Sequence, residues 1–262
     1  MIKIKQNTYK YVYGPVPSWR LGSSLGIDLL SQKSKICTFD CIYCQLGATK
    51  TYSNQRIAYV HVDDILRELR SLPPKIPIDF ITFSGRGEPT LASNLGIAVK
   101  AVKALRPDPI AIITNSSTMD RASVQEDLSL ADFVIAKLDA FSAETFEAVN
   151  KPSDMIHFEN VVKGLLKFRK NYNGKFALQI MFTEENKKYA GKIASLSRKI
   201  APDEIQINTP LRSCPVPPLS EIELMDIKNH FADLNVISVY EGNKTYVEPI
   251  SDSDTLKRRG KV

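Results

Sequence analysis

The sequence predicts an α/β fold of parallel strands joined by crossover helices, and three observations lead to it. Short β-branched runs alternate with amphipathic helical patterns from about residue 24 to residue 240. No linker rich in Gly or Ser, no internal repeat and no low-complexity tract breaks that alternation. The 262 residues are 43% hydrophobic and 24% charged, which is enough apolar material to bury a substantial core. A single domain is expected.

The elements follow in order. Gly14-Pro15-Val16-Pro17-Ser18-Trp19-Arg20-Leu21-Gly22 is stiffened by its prolines and reads as an ordered loop leading into the first strand. That strand is expected at 25–30, and the second at 78–83, with a helix near 62–72 between them. A helix near 93–105 precedes a strand at 111–114, and a helix near 121–129 precedes one at 133–138. Helices near 142–149 and 158–171 lead to the fifth strand at 176–182. A helix near 187–200 leads to the sixth strand at 205–208, and one near 220–234 to the last at 236–240. Ser142 with Glu144 in the first turn, and Ser220 followed by Glu221 and Glu223, mark two of the helix starts. After the sixth strand, Thr209-Pro210-Leu211-Arg212-Ser213-Cys214-Pro215-Val216-Pro217-Pro218 is a rigid irregular connection, because its prolines exclude helix.

Lys and Arg outnumber Asp and Glu by 35 to 29, and the resulting +6 is compatible with an anionic partner such as RNA. Met1-Ile2-Lys3-Ile4-Lys5-Gln6 has no apolar h-region, so it does not read as a secretory signal. No stretch approaches the roughly 18 apolar residues of a membrane helix. A cytoplasmic protein without a membrane partner is expected, and in that compartment closely spaced cysteines bind metal more often than they form disulfides.

Three cysteines fall within Cys37-Thr38-Phe39-Asp40-Cys41-Ile42-Tyr43-Cys44, and the remaining one is Cys214. The C-x3-C-x2-C spacing lets three thiolates converge on one centre from a single loop. Structural zinc takes four ligands, typically from two C-x2-C pairs, but the second pair is absent here and His61, His157 and His230 are scattered. Soft thiolates also suit iron-sulfur clusters. Three cysteines would leave one iron of a [4Fe-4S] cluster open to a substrate or cofactor. A second signal is Phe83-Ser84-Gly85-Arg86-Gly87-Glu88-Pro89-Thr90-Leu91, where the glycines let backbone approach a ligand closely. It begins like a dinucleotide fingerprint but has Thr90 in place of the third glycine and Pro89 at the helix entry, and no G-x4-G-K-[ST] occurs.

These residues resemble the radical S-adenosylmethionine (SAM) superfamily, whose hallmark is C-x3-C-x2-C with an aromatic residue just before the last cysteine, here Tyr43. The glycine turn resembles the superfamily's Gly-Gly-Glu-like turn after the second strand, which implies that Gly85, Gly87 and Glu88 contact the SAM amino group. Thr114-Asn115-Ser116-Ser117 resembles a Thr-Asn-Gly strand end near the SAM ribose, with Ser116 in place of the glycine. Ala136-Lys137-Leu138-Asp139-Ala140 resembles the following strand end, where Lys137 and Asp139, two apart, would share a face toward the pocket. The segments around Gly14–Gly22, 84–91 and 254–260 are similar to a subgroup of small iron-sulfur oxidoreductases related to the core of the tRNA wyosine synthases. Trp19 stands where that subgroup more often has a basic residue, a difference that bears on substrate. Those synthases carry further cysteines for a second cluster, which this chain with one spare cysteine cannot build alone.

The resemblance implies a partial (β/α)6 TIM-like barrel over 25–240, with a Pro/Gly-rich N-terminal extension over 1–24, a C-terminal tail over 241–262, and the site at the C-terminal strand ends. It implies a [4Fe-4S] cluster on Cys37, Cys41 and Cys44, with SAM held by Tyr43, Gly85, Gly87, Glu88, Asn115 and Asp139. A low-potential electron donor of ferredoxin or flavodoxin type would reduce the cluster, and the 5′-deoxyadenosyl radical from SAM would abstract hydrogen from a substrate that the sequence does not identify, an RNA being the first candidate. A protein or peptide substrate is the alternative, and an electron-transfer or structural metal module is the alternative of another class. Lys137 and Cys214 are the candidates for a direct role in the reaction, Cys214 as hydrogen-atom donor, cluster ligand or covalent acceptor on the rim of the site. Lys163, Lys167, Arg169 and Lys170, and at the chain end Lys257, Arg258, Arg259 and Lys261, read as solvated basic stretches.

Overall fold

The structure, a computed structural model, describes residues 9–242 and 246–259. Eight strands form one curled mixed sheet, a half-barrel: β1 (Val12–Ser18), β2 (Gly22–Ile27), β3 (Phe80–Phe83), β4 (Ile110–Thr114), β5 (Phe133–Lys137), β6 (Lys175–Met181), β7 (Glu204–Asn208) and β8 (Val236–Ser238). They lie side by side in chain order; β1 is antiparallel to β2, and every later pair is parallel. Among the described residues eight α-helices accompany them: α1 (Val62–Arg70), α2 (Leu95–Leu105), α3 (Ala122–Leu128), α4 (Ala143–Asn150), α5 (Phe158–Asn171), α6 (Ala190–Ile200), α7 (Glu221–Asn229) and α8 (Asp252–Arg259). None of the described helices is long and apolar enough to cross a membrane.

The helices cover the outer face of the parallel strands, where alternate residues such as Phe176, Leu178, Ile180, Ile205 and Ile207 are apolar and buried. In α5, Phe158, Val161, Leu165 and Phe168 make the buried stripe at helical spacing. Each such side chain contributes about 1.5–3 kcal/mol by leaving water. The inner face carries a separate small apolar plug, with Leu21, Ala111, Phe133, Ile135 and Ala177 packed together. Above that plug, toward the C-terminal strand ends, the interior opens.

Two regions differ from expectation. The segment 14–22, read as a loop, belongs largely to β1 and its tight turn into β2. Prolines fit there because β1 is an edge strand with a register shift between Tyr13 and Val16. Its outer side is covered: Glu68 of α1 accepts from the N–H groups of Lys10, Tyr11 and Val12 at 2.7–2.9 Å. Ile250 N–H donates to the Gly14 carbonyl at 2.6 Å, and the Thr255 hydroxyl accepts from Gly14 N–H at 3.1 Å. The second difference follows from this, since α8 lies within the segment read as a tail and fastens the sheet edge, a covering that blocks edge-to-edge pairing. The basic stretch at the chain end falls partly in α8, with Lys261 outside the described residues, as is Met1–Gln6.

Candidate active site

The cysteine loop leaves the C-terminal end of β2 and is clamped from three sides. Ile36 forms a short parallel bridge with Gly87: Ile36 N–H donates to the Arg86 carbonyl and Glu88 N–H to the Ile36 carbonyl, each at 3.0 Å. Gly87 has φ +147°, and a Cβ there would lie 1.6 Å from the Ile36 oxygen, so only glycine permits the contact. On the second side, Asp40 and Ile42 N–H groups donate to the carbonyls of Val149, Asn150 and Lys151 at 3.0–3.1 Å, which satisfies the C-terminal end of α4. Phe39 anchors this contact, buried edge-on against Phe146 at 5.2 Å. On the third side, the Thr38 hydroxyl donates to Ser117 Oγ at 2.8 Å.

Glu88 is the hub of the clamp. Its buried carboxylate accepts from Thr90 N–H and hydroxyl, the Thr114 hydroxyl and Asn115 N–H at 2.6–3.0 Å. Burial raises its pKa above the ordinary carboxylate value even though these four donors pull the other way. Asn115 extends the network, donating through Nδ2 to Thr38 Oγ1 at 2.8 Å and lying 3.5 Å from Cys37 Sγ. Ser116 takes φ +70°, the conformation that the resembled glycine would adopt freely. It is held there by N–H to Thr114 Oγ1 and hydroxyl to the Lys137 carbonyl.

A second network lies under Cys41. The buried Asp139 carboxylate accepts from the Tyr43 hydroxyl, from Asn150 Nδ2 at 2.8 Å and from Met181 N–H at 2.7 Å. Asn150 Nδ2 also lies 3.5 Å from Cys41 Sγ. The Lys137 ammonium sits 3.6 Å from Asp139 and 4.8 Å from the centre of the Tyr43 ring. Burial, then the Asp139 charge, pushes the Tyr43 phenol well above its usual pKa and keeps it a hydrogen-bond donor.

A cavity of about 420 Å³ opens over these strand ends. Cys41, Cys44, Tyr43, Gly85 and Lys137 line it from the cysteine side. Gly85, with φ +150° and no room for a Cβ beside Asp28, presents bare backbone to it. The structure therefore brings Tyr43, Gly85 and Lys137 to the cavity, while Cys37, Gly87, Glu88, Asn115 and Asp139 stand behind it as supports. Asp139, past the end of β5, does not line this cavity; it stands behind Lys137 at 3.6 Å, and the two line a small adjoining cavity together. Cys214 does not line the cavity either; its thiol donates to the Val216 carbonyl at 3.1 Å, although Thr209–Arg212 of the same loop do line it.

The residues fit the implied cofactors. Among the described residues no three His, Cys, Asp or Glu side chains are grouped to hold a single metal ion. Three thiols on one clamped loop suit a larger iron-sulfur group, whose irons reach separate thiolates. Burial, followed for Cys37 by the neighbouring Cys41 and for Cys41 by Asp139, pushes these thiols up to about 12 and about 11. A thiolate there needs a cationic partner, which bound iron supplies. Amide groups of Asn115 and Asn150 face the two sulfurs, and the buried Lys35 ammonium, 3.5 Å from Asp40, adds positive charge beside the loop. Asn150 and Lys35 escaped sequence reasoning, since neither stands in a motif; Lys35 lies two residues before Cys37.

A half-barrel with a three-thiol loop at its C-terminal rim defines a class of cluster-dependent enzymes. The chain belongs to the Radical SAM superfamily, whose family profile matches residues 31–196. It is 38% identical over 210 residues to a UPF0026 protein of Synechocystis sp., covering 80% of this chain and 78% of that protein. It is 33% identical over 264 residues to a UPF0026 protein of Methanocaldococcus jannaschii, covering 93% and 80%. A protein of Brachyspira hyodysenteriae named GTPase Obg is 34% identical over 259 residues; the match takes in 94% of this chain but only 38% of that protein's length. Among solved structures, Streptococcus suis SuiB bound to S-adenosylmethionine matches with TM-score 0.60 at 15% identity, over 78% of this chain and 48% of that one. An archaeal TYW1 matches with TM-score 0.57 at 13% identity, over 81% and 72%. These likenesses show the shared half-barrel.

Proposed function

We propose that the chain is a radical SAM enzyme that cleaves S-adenosylmethionine reductively at a [4Fe-4S] cluster and acts on an RNA. When bound, cluster and SAM would together supply one-electron chemistry, giving methionine and a 5′-deoxyadenosyl radical that takes a hydrogen atom from substrate. The observation that carries this reading is the cysteine loop, fixed by Gly87, Glu88 and Asn115 so that Cys41 and Cys44 open onto the same cavity as Gly85 and Lys137.

The chain's own residues have distinct tasks. Cys37, Cys41 and Cys44 hold the cluster, and the bare backbone at Gly85 admits SAM close to the turn. Lys137 supplies a positive charge that faces a ligand carboxylate while Asp139 holds it in place. The apolar walls formed by Trp19, Leu21, Ile113 and Met181 exclude water, as chemistry on an unactivated C–H bond requires.

RNA as the substrate is supported by the net charge of +6 and by exposed Lys163, Lys167 and Lys170 on α5; Arg169 of the same stretch is already paired with Asp203 at 2.6 Å. The test has two parts. Anaerobically reconstituted protein reduced with dithionite, or with a ferredoxin or flavodoxin, is expected to form 5′-deoxyadenosine from SAM; no product would sink the catalytic reading and favour an electron-transfer or structural module. Total tRNA is expected to bind and to weaken steeply with salt. Salt-independent or absent binding would remove RNA and leave a peptide or protein substrate.

A further inference from the structure

The inner faces of β6 and β7 carry a feature to which the proposed roles above give no task. Gln179 lines the cavity from the middle of β6, is only 4% exposed, and its Nε2 has no hydrogen-bond partner. A buried amide left without a partner is unfavourable, so a site that keeps one is arranged for something that completes it. The register neighbours of Gln179 are Lys137 on β5 and Gln206 on β7. Gln206 gives its Nε2 to Glu204 at 2.8 Å and has its own Oε1 unmatched.

The charged side chains that line the cavity are all cationic, while the neighbouring carboxylates of Glu204 and Asp139 are engaged with Gln206 and Met181. Arg20, Lys137 and Arg212 line the cavity, and among the described residues no Asp or Glu does. Lys137 is offset by Asp139 behind it. Arg212 donates to Gln45 Oε1 at 2.8 Å, and the Arg20 guanidinium lies over the Trp19 ring at 4.9 Å.

We propose that this interior is an oxyanion subsite. The part of the substrate that enters the barrel carries a carboxylate or a phosphate, which accepts from Gln179 Nε2 while Arg20 and Arg212 supply the complementary charge. Apolar neighbours strengthen such an attraction by lowering the local dielectric. A neutral carbonyl would satisfy Gln179 but gain nothing from the arginines, so charge is what the subsite selects. The proposal deepens the radical SAM reading and rests on it for the identity of the neighbouring cofactor seat.

Trp19 is the single tryptophan of the chain and lines this cavity, so its fluorescence reports binding without any turnover. Reconstituted protein with SAM is titrated with acetate, with its neutral counterpart acetamide, and with inorganic phosphate. The expected result is a saturable change with acetate or phosphate in the millimolar range, weakened by added salt, and none with acetamide. The tighter anion tells whether a carboxylate or a phosphate is the natural group. Gln179→Leu is expected to weaken binding about tenfold, and Gln179→Glu to abolish it, with melting curves confirming that both fold. Acetamide binding as well as acetate, or no response to either anion, overturns the proposal. So does a Gln179→Leu variant that melts lower yet binds acetate unchanged, because the amide would then serve only Gln206. SAM cleavage to 5′-deoxyadenosine is read on the same preparation: its failure strikes the cofactor reading, whereas cleavage without anion binding strikes only the subsite.

Discussion

The two walls of the cavity are built on opposite principles. On the cysteine side, the carboxylates of Glu88 and Asp139 each gather three or more donors, and the amides of Asn115 and Asn150 are bonded as well. On the β6–β7 side, Gln179 and Gln206 each keep a buried polar atom unmatched. Buried hydrogen bonds that close on themselves fix geometry before any ligand arrives. The position of the three cysteines is thus a property of the fold, and the opposite wall is completed by what it binds.

The largest break in this contrast comes from the cysteines themselves. Cys41→Ala is expected to abolish iron retention and 5′-deoxyadenosine formation while leaving the fold intact, since the backbone clamp does not use the thiol. Iron analysis and far-UV spectra check it; a variant that kept both iron and activity would contradict the ligand assignment. Next comes Gly87→Ala, where the new Cβ would meet backbone that cannot swing aside. It should cost about 4–5 kcal/mol, the range of single substitutions that break packing and backbone together. A melting temperature within a degree or so of the parent would show that the bridge to Ile36 is not what seats the loop.

Asp139→Asn probes the second network. It removes the counter-charge of Lys137 and turns an acceptor toward Tyr43, Asn150 and Met181 into a partial donor. Breaking a buried pair from one side costs about 3 kcal/mol or more. Denaturant unfolding of the apoprotein measures it, and Lys137→Met in the same background should recover part of the loss. Gly85→Ala is expected to be milder, about 1–3 kcal/mol for a residue forced into glycine backbone space. Here the new Cβ would meet the Asp28 side chain at 2.4–2.7 Å, whereas at Gly87 it would meet a backbone carbonyl at 1.6 Å. Equal losses at the two glycines would erase the distinction between a turn that faces the ligand and one that holds the loop.

Much of the cysteine wall was legible in the sequence because its residues fall in short runs: the three cysteines stand out by spacing, and Tyr43, the glycine turn and Asn115 through their resemblance to the superfamily's motifs. Helix α5 falls at Phe158–Asn171, the range expected, because its apolar stripe is long and regular. The other wall was not legible. Gln179 is one polar residue inside the apolar run Phe176–Phe182, and only the curl of the sheet tells that its face is the interior. Strand β1 was hidden by its prolines, which an edge strand tolerates because only one side of it pairs with another strand. Trp19, noted as a departure bearing on substrate, does stand in the cavity, and Cys214 lies in the proline-rich loop beside it with its thiol donating to the Val216 carbonyl.

The smallest expected effect lies where the proline-rich loop re-enters the fold. Ser220 and Glu223 form a reciprocal cap at the start of α7, and Glu223 also meets Lys187, from the turn after β6, at 2.7 Å. The Lys187 ammonium, then the Ser220 N–H and hydroxyl, hold the Glu223 carboxyl down at about 2 against an ordinary 4.5. A carboxylate whose folded pKa is depressed adds stability above its unfolded value and loses it as pH falls through the folded one. Glu223→Gln should therefore melt slightly lower than the parent at neutral pH, and the gap should close as pH falls from about 4.5 toward 2. High salt should narrow it as well, because the pair is exposed. The substitution should leave iron content untouched, since it loosens only the anchor of the substrate wall. A gap that persisted at low pH would mean that packing of the side chain, and not its charge, ties the loop down.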